Sequence, residues 1–320
     1  MKRRQVLTVL TGTAAGLGSP WSRAQAQPIR FIVPFPAGGP TDIVARVIAE
    51  PLSRVMGQPI IVDNKGGAGG SIGTAELARA APDGLTFGMA SVSTHAVIPA
   101  VYKKLSYDPI TDFVPVSELA KAPVTLVVHP SLPVSNMAEL IKYLKANPGK
   151  VAYGSPGNGT TSHMYTELFK NTTSTFMTHI PFSGTGPAMI DLLSGQIQVY
   201  IDQVVSSIPH IQSGKLKALA VSWSRRLEIM PKVPTFAEVT LFANNSPSWF
   251  GIVAPAKTPA ADVTRMQQAI VKVTQDPSIK DRFTQLGLFG SASKPEEFAS
   301  LIQKEFLTMS RIAKFAKISL

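Results

Sequence analysis

Two hydrophobic periodicities alternate along the first third of the sequence. Short apolar runs at 29–33 and 60–62, rich in β-branched residues, predict buried strands. Between them apolar residues recur at helical spacing until Gly57, and a second helix, ending near residue 80, precedes a strand at 85–89. This alternation predicts an α/β chain whose parallel strands are joined by crossover helices.

The same alternation continues to the last residues and predicts two α/β lobes. Further strands are expected at 124–128, 151–153, 197–201, 216–221 and 249–254. Further helices are expected at 137–146, 162–171, 186–194, 263–275, 279–286 and 295–315. We expect lobe 1 to comprise residues 27–127 plus 250–320, and lobe 2 to comprise residues 128–249.

The first 26 residues have the pattern of a secretory signal peptide. Lys2, Arg3 and Arg4 precede an apolar run at 6–18, and Ala24-Gln25-Ala26 is a small-residue cleavage site. The alternative, a membrane anchor, requires a longer apolar run, and this one contains three threonines. We therefore expect a soluble periplasmic protein after cleavage near Ala26; the Sec and twin-arginine routes both stay open.

Charge and cysteine content narrow the function further. The net charge is +11 over 320 residues, and it falls to +7 without residues 1–26, which hold four basic residues and no acidic one. The remaining basic residues are scattered, so we expect no nucleic-acid partner. The absence of cysteine excludes disulfides, cysteine nucleophiles and lipid attachment to an N-terminal cysteine. The five histidines lack metal-site spacing, so we expect no metal and no cofactor.

Two glycine loops have the same design. In the first, a buried strand leads through residues 34–39, with Gly38 and Gly39, to a helix that begins near Thr41 or Asp42. The second, residues 154–160, ends in hydroxyl residues at another helix start. Helix starts attract anions, and neutral hydroxyls without a lysine suit a carboxylate better than a polyphosphate. For the first loop, a tight turn with Thr41 as helix cap explains the pattern equally well.

Ordered motifs along most of the chain resemble the solute-binding receptors of the tripartite tricarboxylate transporter family, also called Bug receptors. The resemblance rests on the stretches 35–42, 62–64, 66–70, 82–84, 102–105, 107–109, 154–163, 184–188, 192–196, 214–220 and 249–251. It implies a type 2 periplasmic-binding-protein fold, with two α/β lobes around a ligand cleft. It also implies a non-enzymatic receptor that captures a small carboxylate and delivers it to the membrane subunits of a transporter.

The resemblance implies site residues in both loops and beyond them. The ligand-binding residues it implies are Phe35, Ala37, Gly38, Gly39 and Asp42 in the first loop, Ser155, Gly157, Gly159, Thr160 and Thr161 in the second, Ser91, Ser93 and Thr94 after the strand at 85–89, and Asp202. The ligand could be an organic acid, an amino acid or an aromatic acid. We expect the receptor to be a monomer.

Two other functions are compatible with the sequence. A periplasmic sensor domain would share the fold and differ only in its partner. An exported serine hydrolase would use Ser71, which stands in a G-x-S-x-G pattern at residues 69–73. However, Ser71 lies nine residues beyond Val62, too far from the strand end for the sharp strand-to-helix turn that makes such a serine reactive.

Overall fold

The computed structural model describes residues 27–239, 246–316 and 318–320. The predicted signal peptide lies outside the described residues. The strands are β1 Ile29–Val33, β2 Ile60–Asn64, β3 Thr86–Ser91, β4 Phe113–Ala122, β5 Val124–Val128, β6 Ala152–Ser155, β7 Thr178–Pro181, β8 Val199–Gln203, β9 Lys217–Val221, β10 Ser248–Pro255 and β11 Phe289–Gly290.

Helices alternate with these strands. They are α1 Pro40–Met56, α2 Ser71–Ala78, α3 Ile98–Val101, α4 Met137–Ala146, α5 Thr161–Thr173, α6 Thr185–Leu193, α7 Val204–Gln212, α8 Ala260–Gln275, α9 Pro277–Gln285 and α10 Pro295–Phe315. A single π-helical turn, Ser93–Val97, precedes α3. No helix within the described ranges has the length and apolar character to span a bilayer.

The strands form two separate sheets, one in each lobe. The first has the order β11-β4-β10-β3-β1-β2, and the second has the order β7-β6-β8-β5-β9. Strands β2, β1 and β3 run parallel, as do β7, β6 and β8, which matches the predicted crossover pattern. By contrast, β10 runs antiparallel to β3 and β4, and β5 runs antiparallel to β8 and β9. The sheets are therefore mixed rather than purely parallel.

The chain passes from the first sheet to the second at Pro123, which separates β4 from β5. The predicted boundary at 127–128 would have left β5 with lobe 1, whereas β5 pairs within the second sheet. Sequence patterning missed β4 because polar residues interrupt it; Ser117 and Glu118 are buried there against Ser293. The chain returns at β10, whose residues from Ser248 onward pair in the first sheet.

Each sheet is covered on both faces by apolar side chains. In the first lobe, Phe31, Phe87 and Phe250 are among the fully buried rings. In the second, Tyr153 and Tyr200 are completely buried and belong to different hydrophobic clusters. This packing fixes the strand ends, and the loops that follow β1, β3, β6 and β7 meet between the lobes.

Candidate ligand-binding site

The first glycine loop, residues 34–39, joins β1 to α1. The helix begins at Pro40, and Gly39 precedes it without any side-chain hydrogen bond to cap it. Gly38 has a φ of 83°, a left-handed value that glycine adopts without strain. Thr41 lies inside the first turn and does not cap the helix, so the capping interpretation of this loop is wrong. Gly39 thus supplies no side-chain acceptor to the first-turn N–H groups, and the helix dipole favours an anion there.

The Asp42 carboxylate fixes the conformation of the first loop through hydrogen bonds. Its Oδ2 accepts a hydrogen bond from the Gly38 N–H at 2.8 Å, and its Oδ1 accepts one from Asn64 Nδ2 at 2.9 Å. The Arg46 guanidinium lies 3.0 Å from both oxygens. These hydrogen bonds outweigh the effect of burial and lower the pKa of Asp42, which is 3% exposed. Both oxygens are already engaged, so Asp42 positions the loop.

The second glycine loop, residues 154–160, begins within the end of β6 and leads to α5. Gly157 and Gly159 have φ values of 133° and 72°, and Thr160 precedes the helix without capping it through its side chain. The Thr160 hydroxyl instead donates to the Gly157 carbonyl at 2.8 Å. The Ser155 hydroxyl also donates to that carbonyl, at 3.0 Å. Ser155 and Thr160 therefore shape the loop from within.

Two stacked histidines support this second loop. The rings of His163 and His179 are 4.4 Å apart and nearly parallel. His163 Nδ1 accepts a hydrogen bond from the Gly159 N–H at 3.2 Å, and His179 Nε2 lies 2.7 Å from the Ser155 hydroxyl. Burial lowers the pKa of both rings, that of His179 to about 4. Both are consequently neutral at pH 7, which leaves His163 Nδ1 free to accept.

The segment after β3 connects the two lobes. The Ser93 hydroxyl lies 2.8 Å from the Thr161 hydroxyl and accepts the Thr161 N–H at 3.0 Å. The Thr94 hydroxyl does not bind the second loop. It accepts a hydrogen bond from the Ser91 N–H and lies 2.9 Å from His95 Nδ1. Ser93 thus joins the first lobe to the second glycine loop, whereas Thr94 stabilises its own turn.

The lobes are in close contact at two points, one between Gly69 and the second glycine loop and one between Pro36 and Gly184. A Cβ placed on Gly69 would lie 2.8 Å from the Asn158 carbonyl oxygen, and one on Gly157 would lie 3.1 Å from the Gly69 Cα. Pro36 of the first loop fits against Gly184 in the same way, with its Cγ 2.9 Å from a Cβ built there. The lobes therefore touch at these positions, and larger residues there would hold them apart.

A small cavity lies where these loops meet. Its volume is about 20 Å³, and its lining consists of Phe35, Gly39, Pro40, Thr41, Ser91, Ser93, Pro156, Ser162, Thr185 and Gln203. Hydroxyls and one amide supply the polar groups, and no charged side chain is in the lining. This volume is close to that of one water molecule.

Part of the predicted site lines this cavity. Phe35, Gly39, Ser91 and Ser93 do so. The other predicted residues lie outside the lining: Ala37 and Gly38 are exposed, and Asp42, Thr94, Ser155, Gly157, Gly159, Thr160, Thr161 and Asp202 are buried. For these, ligand contact stays a prediction.

A third helix start faces the cavity and was missed. Helix α6 begins at Thr185 after Gly184, again without a side-chain cap. The Gly184-Thr185 pair follows β7 and repeats the strand–glycine–hydroxyl pattern of the two predicted loops, which was the available signal. Thr185 and Ser162, in the first turn of α5, therefore belong to the candidate site.

Tyr200 and Asp202 lie on the same face of β8, and Tyr200 interacts with Ser162 and Thr185 of the cavity lining. The Tyr200 hydroxyl and Asp202 Oδ1 are buried and have no hydrogen-bond partner within the described part of the chain. Asp202 Oδ2 accepts hydrogen bonds from the hydroxyls of Ser206 and Ser207. Burial raises the pKa of Asp202 to about 6, despite these donors. Asp202 is therefore engaged with α7 through one oxygen only.

The geometry does not support the hydrolase alternative. The Ser71 hydroxyl donates to the Ala68 carbonyl at 3.0 Å in the first turn of α2. The ring nitrogens of His95, His163 and His179 that make hydrogen bonds do so to other residues. Within the described ranges, no group of three or more histidine and acidic side chains could hold a metal ion.

A family model and several solved structures match this chain over most of its length, and they agree on the kind of protein it resembles. The sequence model of the family described as "Tripartite tricarboxylate transporter family receptor" matches residues 44–318. The solved structure of the periplasmic binding protein BugD is 33% identical, with a TM-score of 0.88 over 92% of this chain and 98% of that one. The R. palustris protein Rpa4515 with adipate is 33% identical, with a TM-score of 0.89 over 94% and 99%. MatC from Rhodopseudomonas palustris with bound malate is 33% identical, with a TM-score of 0.86 over 89% and 98%.

Proposed function

Because the chain belongs to the tripartite tricarboxylate transporter receptor family and has its periplasmic-binding-protein fold, we propose that it binds a small carboxylate between its lobes and delivers it to a membrane transporter. In this proposal it is a monomeric receptor without catalytic activity, soluble in the periplasm after cleavage near Ala26. Lobe 1 comprises residues 27–122 and the described residues from 248 onward, and lobe 2 comprises residues 123–239, an assignment that follows the sheets.

One observation carries the proposal: three helix starts, none of them capped by the residue that precedes it, meet at one cavity. The residues before α1, α5 and α6 make no capping side-chain hydrogen bond, whereas Asn136 caps α4 through the Glu139 N–H. At α5 the Ser93 hydroxyl already accepts the Thr161 N–H. The first-turn N–H groups of α1 and α6 and the positive ends of all three helix dipoles suit an anion. Because the lining holds hydroxyls rather than basic side chains, a carboxylate matches it better than a densely charged polyphosphate.

Ligand binding must involve movement of the lobes. A cavity of about 20 Å³ has no room for a carboxylate of four to six carbons, so the lobes separate to admit the ligand. A ligand that contacts Thr41 of lobe 1 and Thr185 of lobe 2 together stabilises a closed or nearly closed arrangement. Release to the transporter then requires the lobes to open again.

The relatives support small organic acids as the first ligands to test. Adipate and malate, bound in two related structures, are linear dicarboxylates. Aromatic acids and amino acids are also tested as ligands. The cavity lining contains the Phe35 ring, which can pack against an aromatic acid, and the Gln203 amide, which can bind an amino acid.

Thermal unfolding of the protein purified from the periplasm tests the proposal. At a ligand concentration of one hundred times Kd, binding adds about 2.7 kcal/mol, which raises Tm by several degrees. Adipate, malate, benzoate and glutamate should be compared with adipamide, the neutral analogue of adipate. Thr185→Val should weaken binding, and Thr172→Val, an exposed site on α5, serves as its control. If no carboxylate shifts Tm more than adipamide does, the proposal fails.

A further inference from the structure

Tyr200 is a buried phenol whose hydroxyl lies near two other hydroxyl groups but forms no well-oriented hydrogen bond with any described residue. It lies at the centre of β8, a strand flanked by β6 and β5, and its exposed fraction is 0%. It belongs to the same hydrophobic cluster as Ala188 and Leu192 of α6. A buried hydroxyl without a well-oriented hydrogen bond is costly, so its retention in a well-packed sheet calls for an explanation.

The neighbours of this hydroxyl belong to the cavity. Ser162 and Thr185 are the hydroxyl residues that interact with Tyr200, and both line the cavity. Ser162 lies in the first turn of α5, and Thr185 is the first residue of α6. Three hydroxyl groups from three elements therefore converge beside the starts of α5 and α6.

The phenol acts as a hydrogen-bond donor at physiological pH. Burial raises the pKa of Tyr200 well above its usual value, and the charge of Asp202 raises it further. The proton therefore stays on the oxygen, which makes the group a donor suited to an anionic oxygen. The free Oδ1 of Asp202 lies on the same face of the strand and cannot donate when ionised.

We propose that Tyr200 donates a hydrogen bond to a carboxylate oxygen of the ligand, and that Ser162 and Thr185 complete the donor set of lobe 2. One ligand carboxylate then lies between the first turns of α5 and α6, with the phenol beneath it. This assignment rests on the proposed function, since it requires a carboxylate to enter the cavity. It identifies Tyr200 as a residue that recognises the anionic group of the ligand.

Removal of one oxygen atom tests the assignment. Tyr200→Phe keeps the ring packing and removes only the donor. Tyr153→Phe is the matched control: Tyr153 is equally buried in the neighbouring strand β6, but its hydroxyl already donates to Glu167 at 2.5 Å. The probes are adipate and malate, or whichever carboxylate of the panel binds the wild-type protein most tightly, measured by isothermal titration calorimetry.

The two variants should respond in opposite ways. Tyr200→Phe should weaken binding about 10- to 100-fold, the range for a hydrogen bond to a charged group, and leave the Tm of the ligand-free protein unchanged or higher. Tyr153→Phe should lower that Tm and bind within about twofold of wild type. In the double variant Tyr200→Phe with Ser162→Ala, the losses of affinity should not add, because both donors serve one carboxylate.

The outcomes separate this inference from the proposed function. If wild type binds a carboxylate and Tyr200→Phe binds it equally well, the role of Tyr200 is wrong and the receptor function stands. A lower Tm of ligand-free Tyr200→Phe, with affinity unchanged, would identify a purely structural phenol. If wild type binds no carboxylate of the panel, both proposals fail together.

Discussion

The two glycine loops have the same backbone design but are held in place by different chemistry. The first is fixed by charge, because Asp42 joins the Gly38 N–H to Arg46 and Asn64. The second is fixed by neutral groups, because Ser155, His163 and His179 hold its glycines. A helix start can therefore be presented to a ligand by either means. The difference determines how each loop responds to pH, to loss of a side chain and to an added methyl group.

The largest effect is expected from a methyl group in the second loop. In Gly157→Ala the new Cβ would lie 3.1 Å from the Gly69 backbone of the facing lobe, and the φ of 133° is strained for alanine. The clash exists only when the lobes are closed, so ligand affinity should fall about 100-fold, equivalent to about 2.7 kcal/mol. Calorimetric titration with the tightest carboxylate measures it. Affinity within threefold of wild type would show that this contact does not form in the bound state.

The next effect concerns the ionic support of the first loop. Asp42→Ala leaves the Gly38 N–H and the Arg46 guanidinium without their shared acceptor, so the free energy of unfolding should fall by about 2–3 kcal/mol. Urea denaturation measures the loss. Asp42→Asn, which keeps an acceptor for Gly38, should recover part of it. Equal losses in both variants would show that charge alone matters here.

As the pH falls, the second loop should lose its stabilising contribution before the first loop does. Burial lowers the pKa of His179 to about 4 in the folded protein. In the unfolded chain the same imidazole is protonated below about pH 6.5, so protonation favours unfolding between these two pH values. The stability that His179 contributes is complete above pH 6.5 and is lost as pH falls towards 4. The pKa of Asp42 is lowered instead, so the first loop keeps its support until pH drops below the ordinary range of an aspartate.

Urea denaturation at pH 7.5 and 4.5 checks this difference. His179→Gln keeps a side-chain amide near the position of Nε2 but does not titrate, so it should lose roughly 1–3 kcal/mol less than wild type between the two pH values. Asp202, whose pKa is raised to about 6, makes the opposite contribution, because its protonation stabilises the folded protein as pH falls. This contribution is the same in wild type and in the variant, so it cancels in the comparison. Equal losses in wild type and variant would contradict the role given to His179.

The smallest effect is expected from a methyl group in the first loop. A Cβ on Gly38 would meet no atom within 4 Å, so Gly38→Ala suffers only from its positive φ. We expect a loss of about 1 kcal/mol in unfolding free energy and less than a threefold change in affinity. Thermal unfolding and calorimetry of this variant beside Gly157→Ala would show whether crowding at the lobe contact, and not backbone strain, sets the larger effect.

The sequence predicted what depends on local patterns. Both glycine loops and the helices that follow them could be read from the order of strand, glycine and hydroxyl residues. The site itself depends on which surfaces meet after folding: Thr185 and Tyr200 come together from α6 and β8, and no local pattern links them. For the same reason Asp42 and Thr160, although in the right loops, form bonds that shape their own loop. Strand β4 was missed because the partners of its polar residues, Ser291 and Ser293, lie about 175 positions away.

The central claim is that one ligand holds both lobes together. The sequence has no cysteine, so Arg79→Cys on lobe 1 and Ile190→Cys on lobe 2 create two unique and exposed sites for spin labels. Double electron–electron resonance then measures the distance between the lobes with and without a carboxylate that raises Tm. We predict that saturating ligand removes the longer-distance population and leaves a single shorter one. An identical distance distribution with and without saturating ligand would contradict the claim.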